Sequence, residues 1–141
     1  MKIRALVQAR LKSERLPGKV LEKIGNLAIV EHIAARAATL EGAGVETVFA
    51  IADESPTEGG APGGAINLAD FLTERGLRCF TGHATNVLKR YVDASADLDP
   101  ADYVIRMTAD NPFVDKDQLA RLVQRLKTNP VDYGYTADLP L

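Results

Sequence analysis

The stretch QARLKSERLPGKVL, residues 8–21, follows the apolar run of residues 3–7 and decides the fold. Ile3, Ala5, Leu6 and Val7 read as a buried strand. Within the stretch, Leu16-Pro17-Gly18 forbids helix, because proline fixes φ and lacks a donor while glycine permits positive φ. The stretch is therefore a loop that leaves the end of a strand. Arg10, Lys12, Arg15 and Lys19 place four cations within ten positions of it. In an open α/β sheet, ligands bind beyond the carboxyl ends of the strands, where backbone N–H groups, Lys and Arg suit phosphate oxygens. The pattern points to a nucleotide polyphosphate; the plainer alternative is a solvated basic loop.

Outward from this loop, strand-like and helix-like segments alternate. Residues 20–24 are short and apolar and end in the turn Gly25-Asn26. Residues 29–40 carry Ile29, Val30, Ile33, Ala34, Ala37 and Leu40 at the spacing of one helical face, and the glycines within residues 41–44 suit its end. His32 beside that face reads as a packed side chain, since no Cys/His cluster accompanies it. A second strand is expected at residues 45–51. Residues 53–64 read as a flexible connection, and their GGAPGG lacks the lysine and hydroxyl of a phosphate-binding P-loop. Residues 65–75 follow as a helix with Ile66, Leu68, Ala69 and Leu72 inward.

The second half repeats the alternation. It has a strand at residues 77–80, a helix at about 85–96, a strand at 103–107 and a helix at 116–127 with Leu119, Leu122, Val123 and Leu126 inward. Asp115, with Gln118 three residues on, reads as that helix's cap. Residues 131–136 allow a fifth strand. Strands alternating with helices imply an α/β fold with a largely parallel, Rossmann-like sheet in three layers and right-handed crossovers.

Composition narrows the partners. The 141 residues read as one domain, 1–141, long enough to bury roughly two thirds of the surface its unfolded chain exposes. Net charge is −2, and the cations gather in one loop rather than over a face, which argues against nucleic acid. The expected partner is small and anionic. The lone Cys79 excludes an internal disulfide and reads as a buried thiol, which fits a reducing cytoplasm. The first apolar run is broken by Gln8 and Arg10 before a signal-peptide core of ~7–15 residues forms. Nothing approaches the ~20 apolar residues of a membrane span, so no membrane is expected.

Beyond composition, the loop resembles the signature A-R-x-x-S-x-R-L-P-x-K of the cytidylyltransferases that make CMP-activated sugars. Ala9, Arg10, Ser13, Arg15, Leu16, Pro17, Gly18 and Lys19 fall on the pattern of the spore-coat polysaccharide biosynthesis protein F-like branch, related to CMP-KDO and acylneuraminate cytidylyltransferases. A second segment, FTGHATNVLKRY, is similar to the family's F-x-G-x-x-x-x-V-L-x-R-Y at Phe80, Gly82, Val87, Leu88, Arg90 and Tyr91. A third, RMTADNPFVD, matches R-I-T-G-D-C-P-L-I-D at Arg106, Thr108, Asp110, Pro112 and Asp115, with Ala109 in place of glycine and Asn111 in place of cysteine. An alanine there restricts the approach of backbone to ligand if φ must be positive. Residues 129–132 resemble the family's N-P-V-D run. The chain then stops about half way along the family pattern.

The resemblance implies a nucleotide-diphospho-sugar transferase fold, truncated at the C-terminus. It implies attack by the hydroxyl of an acidic or modified sugar on the α-phosphorus of CTP, giving a CMP-sugar and pyrophosphate in polysaccharide biosynthesis. Arg15 and Lys19 are the implied catalytic residues, and Arg10 joins them in holding the triphosphate. Ala9, Arg10, Ser13, Gly18, Gly82, Arg106 and Thr108 are the implied nucleotide contacts. Asp110 is the implied ligand of Mg²⁺, which favours one or two carboxylates plus phosphates and waters; its alternative is an Asx turn shaping the loop before Pro112. For Arg90 both a surface cation and a site residue stay open, whereas Tyr91 reads as a core aromatic with a wet hydroxyl. A missing second half would leave apolar surface suited to a homodimer. The rival readings are a truncated, non-catalytic nucleotide-binding homologue and another nucleotidyl- or glycosyltransferase of the same fold.

Overall fold

In the computed structural model, residues 1–54 and 67–136 are described. The first strand, β1 (Ile3–Ala9), is buried on both faces, as its nearly continuous apolar run requires. The signature loop ends in a short 3₁₀ turn, Lys19–Leu21. A small antiparallel hairpin follows, with β2 (Lys23–Ile24) and β3 (Leu27–Ala28) joined through Gly25-Asn26. Helix α1 (Ile29–Ala38) buries Val30, Ile33 and Ala37 along one face. Glu31 holds its start by accepting the Ala28 N–H at 2.7 Å, and Arg75 donates to the same carboxylate at 2.6 Å. These bonds keep the Glu31 carboxyl below its ordinary value.

Strand β4 (Val45–Ala52), helix α2 (Leu68–Thr73), strand β5 (Cys79–Gly82), helix α3 (Val87–Ala94), strand β6 (Tyr103–Thr108) and helix α4 (Lys116–Thr128) complete the described elements. The main sheet is parallel in the order β5-β4-β1-β6. Ile3, Ala5, Val7 and Ala9 pack with side chains of α1, α2 and α4 on one face, while Leu6 and Ala50 meet Ala94 of α3 on the other. The chain runs from β1 out to β5 and then returns to β6 on the far side of β1. Because crossovers are right-handed, the returning helix belongs on the opposite face, and α3 is found there. Each fully buried Leu, Ile, Val or Phe of these cores contributes about 1.5–3 kcal/mol, against which conformational entropy is set.

Arg4 ties β1 to the end of α3. Its guanidinium donates to both Asp97 oxygens at 2.6 and 2.8 Å, to Glu46 at 2.7 Å and to the Ala94 carbonyl at 2.9 Å. The bidentate fork is the strong form of such pairs. Asp115 caps α4 as expected, accepting the Asp117 and Gln118 N–H groups at 2.9 and 3.1 Å.

Several boundaries differ from the sequence reading. Residues 131–136 form no strand; Val131 instead donates its N–H to the Tyr103 hydroxyl at 3.2 Å. Leu77 precedes β5, and its N–H closes α2 by donating to the Leu72 carbonyl. Helix α3 starts at Val87, because the His83 side chain takes the Thr85 and Asn86 N–H groups before it and Asn86 caps it by accepting the Lys89 N–H. The glycine-rich residues 55–64 and the start of the helix expected at residue 65 lie outside the described residues. His32 is a packing residue, its Nε2 within 2.9 Å of the Ile24 carbonyl. Cys79 is half-buried, and burial pushes its thiol up. Among the described residues no helix is long and apolar enough to cross a membrane.

Candidate functional site

The sheet order reverses between β1 and β6, and a crevice at the carboxyl ends of strands that flank such a reversal is where open α/β sheets bind ligands. A cavity of about 220 Å³ lies there, lined by Gln8, Ala9, Arg10, Lys19, Val20, Arg106, Thr108 and Asp110. Larger depressions of about 400 and 610 Å³ lie elsewhere, one toward the amino ends of the strands and one beside α3. Their Arg78 and Arg4 are already paired with acids, so volume does not identify the site; converging charge does.

The loop reaches this cavity through Gly18, whose φ of 73° is left-handed and whose N–H donates to the Leu11 carbonyl at 2.7 Å. The 3₁₀ turn that follows buries Val20 and sets Lys19 at the rim. Lys19 Nζ lies 2.7 Å from Asp110 Oδ2. The Lys19 ammonium holds the Asp110 carboxyl below its ordinary value; burial opposes it, and the Thr108 hydroxyl adds a lesser lowering. Ala109 is buried, does not line the cavity, and donates its N–H to the Gln8 carbonyl at 2.9 Å. The methyl that stands in place of glycine is therefore packed away from the cavity.

Of the residues expected from sequence, Ala9, Arg10, Lys19, Arg106, Thr108 and Asp110 meet around one cavity, although they come from the ends of two strands, β1 and β6, and the segments that follow them, far apart in the chain. Ser13, Arg15, Gly18 and Gly82 do not line it. Ser13 Oγ lies 3.5 Å from the Leu16 N–H, a contact within the loop. Gly82 ends β5 for a reason other than turning: a Cβ there would fall 2.8 Å from Phe80 Cε1 and 2.9 Å from Arg90 Cγ. The N-terminus of α3 behind it is capped by Asn86, and His83 Nδ1 accepts the Thr85 and Asn86 N–H groups.

Arg90 corrects the surface-cation alternative. It is 1 % exposed and donates through Nε and Nη2 to the carbonyls of His83 and Ala84, while its buried Nη1 has no partner among the described residues. Burial pushes its guanidinium down; the Glu54 carboxylate opposes that and Arg10 adds to it. Tyr91 is partly buried, and its hydroxyl donates to the Met107 carbonyl at 3.3 Å. Sequence reasoning missed Gln8, Val20 and Glu54. Gln8 was legible as the polar residue at the end of β1 on the face it shares with Leu6; Glu54 carried no signal, since its role depends on which strand lies beside β1.

The chain matches a known family. Residues 4–58 and 65–141 match the family described as cytidylyltransferase. The chain belongs to the cytidylyltransferase family. The spore coat polysaccharide biosynthesis protein SpsF of Bacillus subtilis is 32% identical over 139 residues, covering 96% of this chain and 54% of that protein. The 3-deoxy-manno-octulosonate cytidylyltransferase of Nitrobacter winogradskyi is 30% identical over 137 residues, 94% of this chain and 48% of that protein. The chain thus spans about half the length of these curated relatives. A CMP:2-keto-3-deoxy-manno-octonic acid synthetase solved with CTP shares the fold, with a TM-score of 0.72 at 22% identity over 93% of this chain and 49% of the other. A cytidylyltransferase structure from Leptospira borgpetersenii has a TM-score of 0.69 at 26% identity, over 92% and 50% of the two chains. The three-layer α/β sheet is therefore the nucleotide-sugar transferase fold of this family.

The donor set fits a divalent ion carried on phosphates rather than one caged by protein. No group of three or more His, Cys, Asp or Glu side chains converges among the described residues. Asp110 offers one half-exposed carboxylate beside the Thr108 hydroxyl, and Mg²⁺ needs no more than one or two carboxylates where phosphates supply further oxygens.

Proposed function

We propose that this chain forms the CTP-binding part of a cytidylyltransferase that transfers CMP to a sugar hydroxyl, in polysaccharide or glycoconjugate biosynthesis. The observation that carries the reading is the cavity at the β1/β6 reversal, where Arg10, Lys19 and Arg106 converge with a single acid, Asp110, in a chain of this family. Its 220 Å³ is below the roughly 300–1,000 Å³ of a small-molecule site, so it suits the phosphates rather than a whole nucleotide.

In the proposed reaction the sugar oxygen bonds to the α-phosphorus, the bond from that phosphorus to the bridging oxygen breaks, and pyrophosphate leaves. The hydroxyl proton is released to solvent. Such transfers depend on positioning and charge stabilisation more than on covalent help. Arg10 and Lys19 hold the triphosphate and stabilise the charge that grows on pyrophosphate, Ala9 lets the backbone approach it, and Gly18 sets the turn that places Lys19; Arg15 and Ser13, on the same loop but outside the cavity lining, would join them by moving toward the bound triphosphate. Arg106 and Thr108 close the cavity from β6, whereas Gly82, at the end of β5, lies away from it and gives its space to Phe80 and Arg90. Asp110 would hold Mg²⁺, which when bound neutralises phosphate charge and aligns the reacting oxygens.

The test is pyrophosphate release from CTP and Mg²⁺ with a panel of acidic and neutral sugars. Release with CTP and one sugar class supports the enzyme. The rival reading is a nucleotide-binding module without turnover. CTP binding with no release on any acceptor selects it.

A further inference from the structure

Glu54 lies two residues past the end of β4, and its carboxylate turns to the signature loop. Oε2 accepts the Leu11 N–H at 2.7 Å, and both oxygens lie 3.2 Å from the Lys12 N–H. Two successive amides thus meet one anion, in charge-assisted bonds about twice as strong as neutral ones. The Leu11 carbonyl is fixed as well, by the Gly18 N–H. Leu11 is therefore held at both its polar atoms, immediately after Arg10 and across the loop from Lys19.

We propose that Glu54 is a positioning residue: it clamps the amides of Leu11 and Lys12 so that Arg10 and Lys19 stand at the cavity before a triphosphate arrives. The proposal rests on the nucleotide reading above and adds a residue to it. A carboxylate on loop amides could instead occupy the phosphate position, and the geometry points away from that. Neither Glu54, Leu11 nor Lys12 lines the cavity between β1 and β6; Glu54 and Leu11 line a separate space of about 70 Å³ on the β4 side. The clamp and the ligand thus use opposite sides of β1. Glu54 also supplies negative charge beside a loop whose four cations otherwise repel one another. On the far side Asp110 does the same through the Lys19 side chain, but that contact must open for phosphate, whereas the Glu54 contact can persist. A loop held in its binding shape loses less freedom when ligand arrives.

The experiment compares wild-type, Glu54→Gln and Glu54→Ala chains by hydrogen exchange of the Leu11 and Lys12 amides without ligand and by calorimetric titration of CTP in Mg²⁺. In Glu54→Ala the two amides exchange about tenfold faster or more, and the CTP dissociation constant rises about tenfold, while the ligand-free unfolding midpoint moves by only a few degrees. Glu54→Gln, which keeps an acceptor and loses the charge, falls between. Unchanged exchange overturns the clamp. Faster exchange with unchanged or tighter CTP binding also overturns it, since Glu54 would then compete with phosphate or do nothing for it. If the wild-type chain takes no CTP, the nucleotide reading fails by itself, and the exchange comparison still decides whether Glu54 holds the loop.

Discussion

Lys19 Nζ and Asp110 Oδ2 sit 2.7 Å apart across the cavity between β1 and β6, joining the signature loop to the loop after β6. The two side chains are about one third and just under one half exposed, so water screens the pair. A pair of this kind holds weakly and opens readily. A triphosphate would take Lys19, and its metal ion would take Asp110.

The two residues should therefore matter to ligand far more than to folding. Lys19→Ala and Asp110→Asn are each expected to change unfolding free energy by less than about 1 kcal/mol. Each should weaken CTP binding in Mg²⁺ by about tenfold or more. Urea unfolding and calorimetry check this together; a loss of several kcal/mol in stability with affinity intact would contradict it.

Acid should loosen the opposite end of the sheet. The Arg4 guanidinium holds the Asp97 carboxyl at about 2, against an ordinary 3.8. A carboxyl depressed in the folded chain binds protons more weakly there than in the unfolded chain, so its stabilisation is full above 3.8 and is lost as pH falls toward 2. Asp97→Asn should lower the unfolding midpoint near neutral pH and flatten its fall across that window. Parallel curves for the two chains would show that the pair contributes nothing.

Gly82→Ala tests a close approach rather than a turn. The added Cβ meets Phe80 and Arg90 side chains at 2.8 and 2.9 Å, and Arg90 is held by its carbonyl bonds. Overpacking of this kind costs about 1–3 kcal/mol, and the midpoint should fall by about 4 °C or more. An unchanged midpoint would mean that Arg90 moves freely.

Arg90→Lys asks whether charge or shape is needed under the β5–α3 turn. Arginine reaches the His83 and Ala84 carbonyls with a planar fork, and lysine cannot reproduce it. The substitution should destabilise the chain by about 1–3 kcal/mol and speed amide exchange at Thr85 and Asn86, which depend on the His83 side chain. Full retention of stability would assign Arg90 no structural role.

Much of this was legible in the sequence because it is local. Proline and glycine at residues 17 and 18 announced the loop, the apolar run of β1 announced the central strand, and Asp115 announced the cap of α4. The pairing of Lys19 with Asp110 joins residues 91 positions apart and shows only in the fold. What stayed hidden depends on neighbours distant in sequence. Arg90 reads as a surface cation by its charge alone, and only the turn at His83 and the bare Cα of Gly82 make room for it inside. Glu54 reads as one more polar residue after a strand until β4 is known to lie beside β1. Residues 131–136 carry strand-forming side chains but find no strand partner among the described residues.

The central claim is that the β1/β6 cavity takes the phosphates of CTP. The most direct test is thermal unfolding in Mg²⁺ with CTP, UTP, ATP or GTP, for the wild-type chain and for Lys19→Ala. A ligand at a hundred times its dissociation constant adds ~2.7 kcal/mol, which raises the midpoint by several degrees in a domain of this size. The account predicts a rise with CTP that exceeds the other nucleotides and disappears in Lys19→Ala. A wild-type midpoint that no nucleotide moves, or a CTP shift that survives intact in Lys19→Ala, would contradict it.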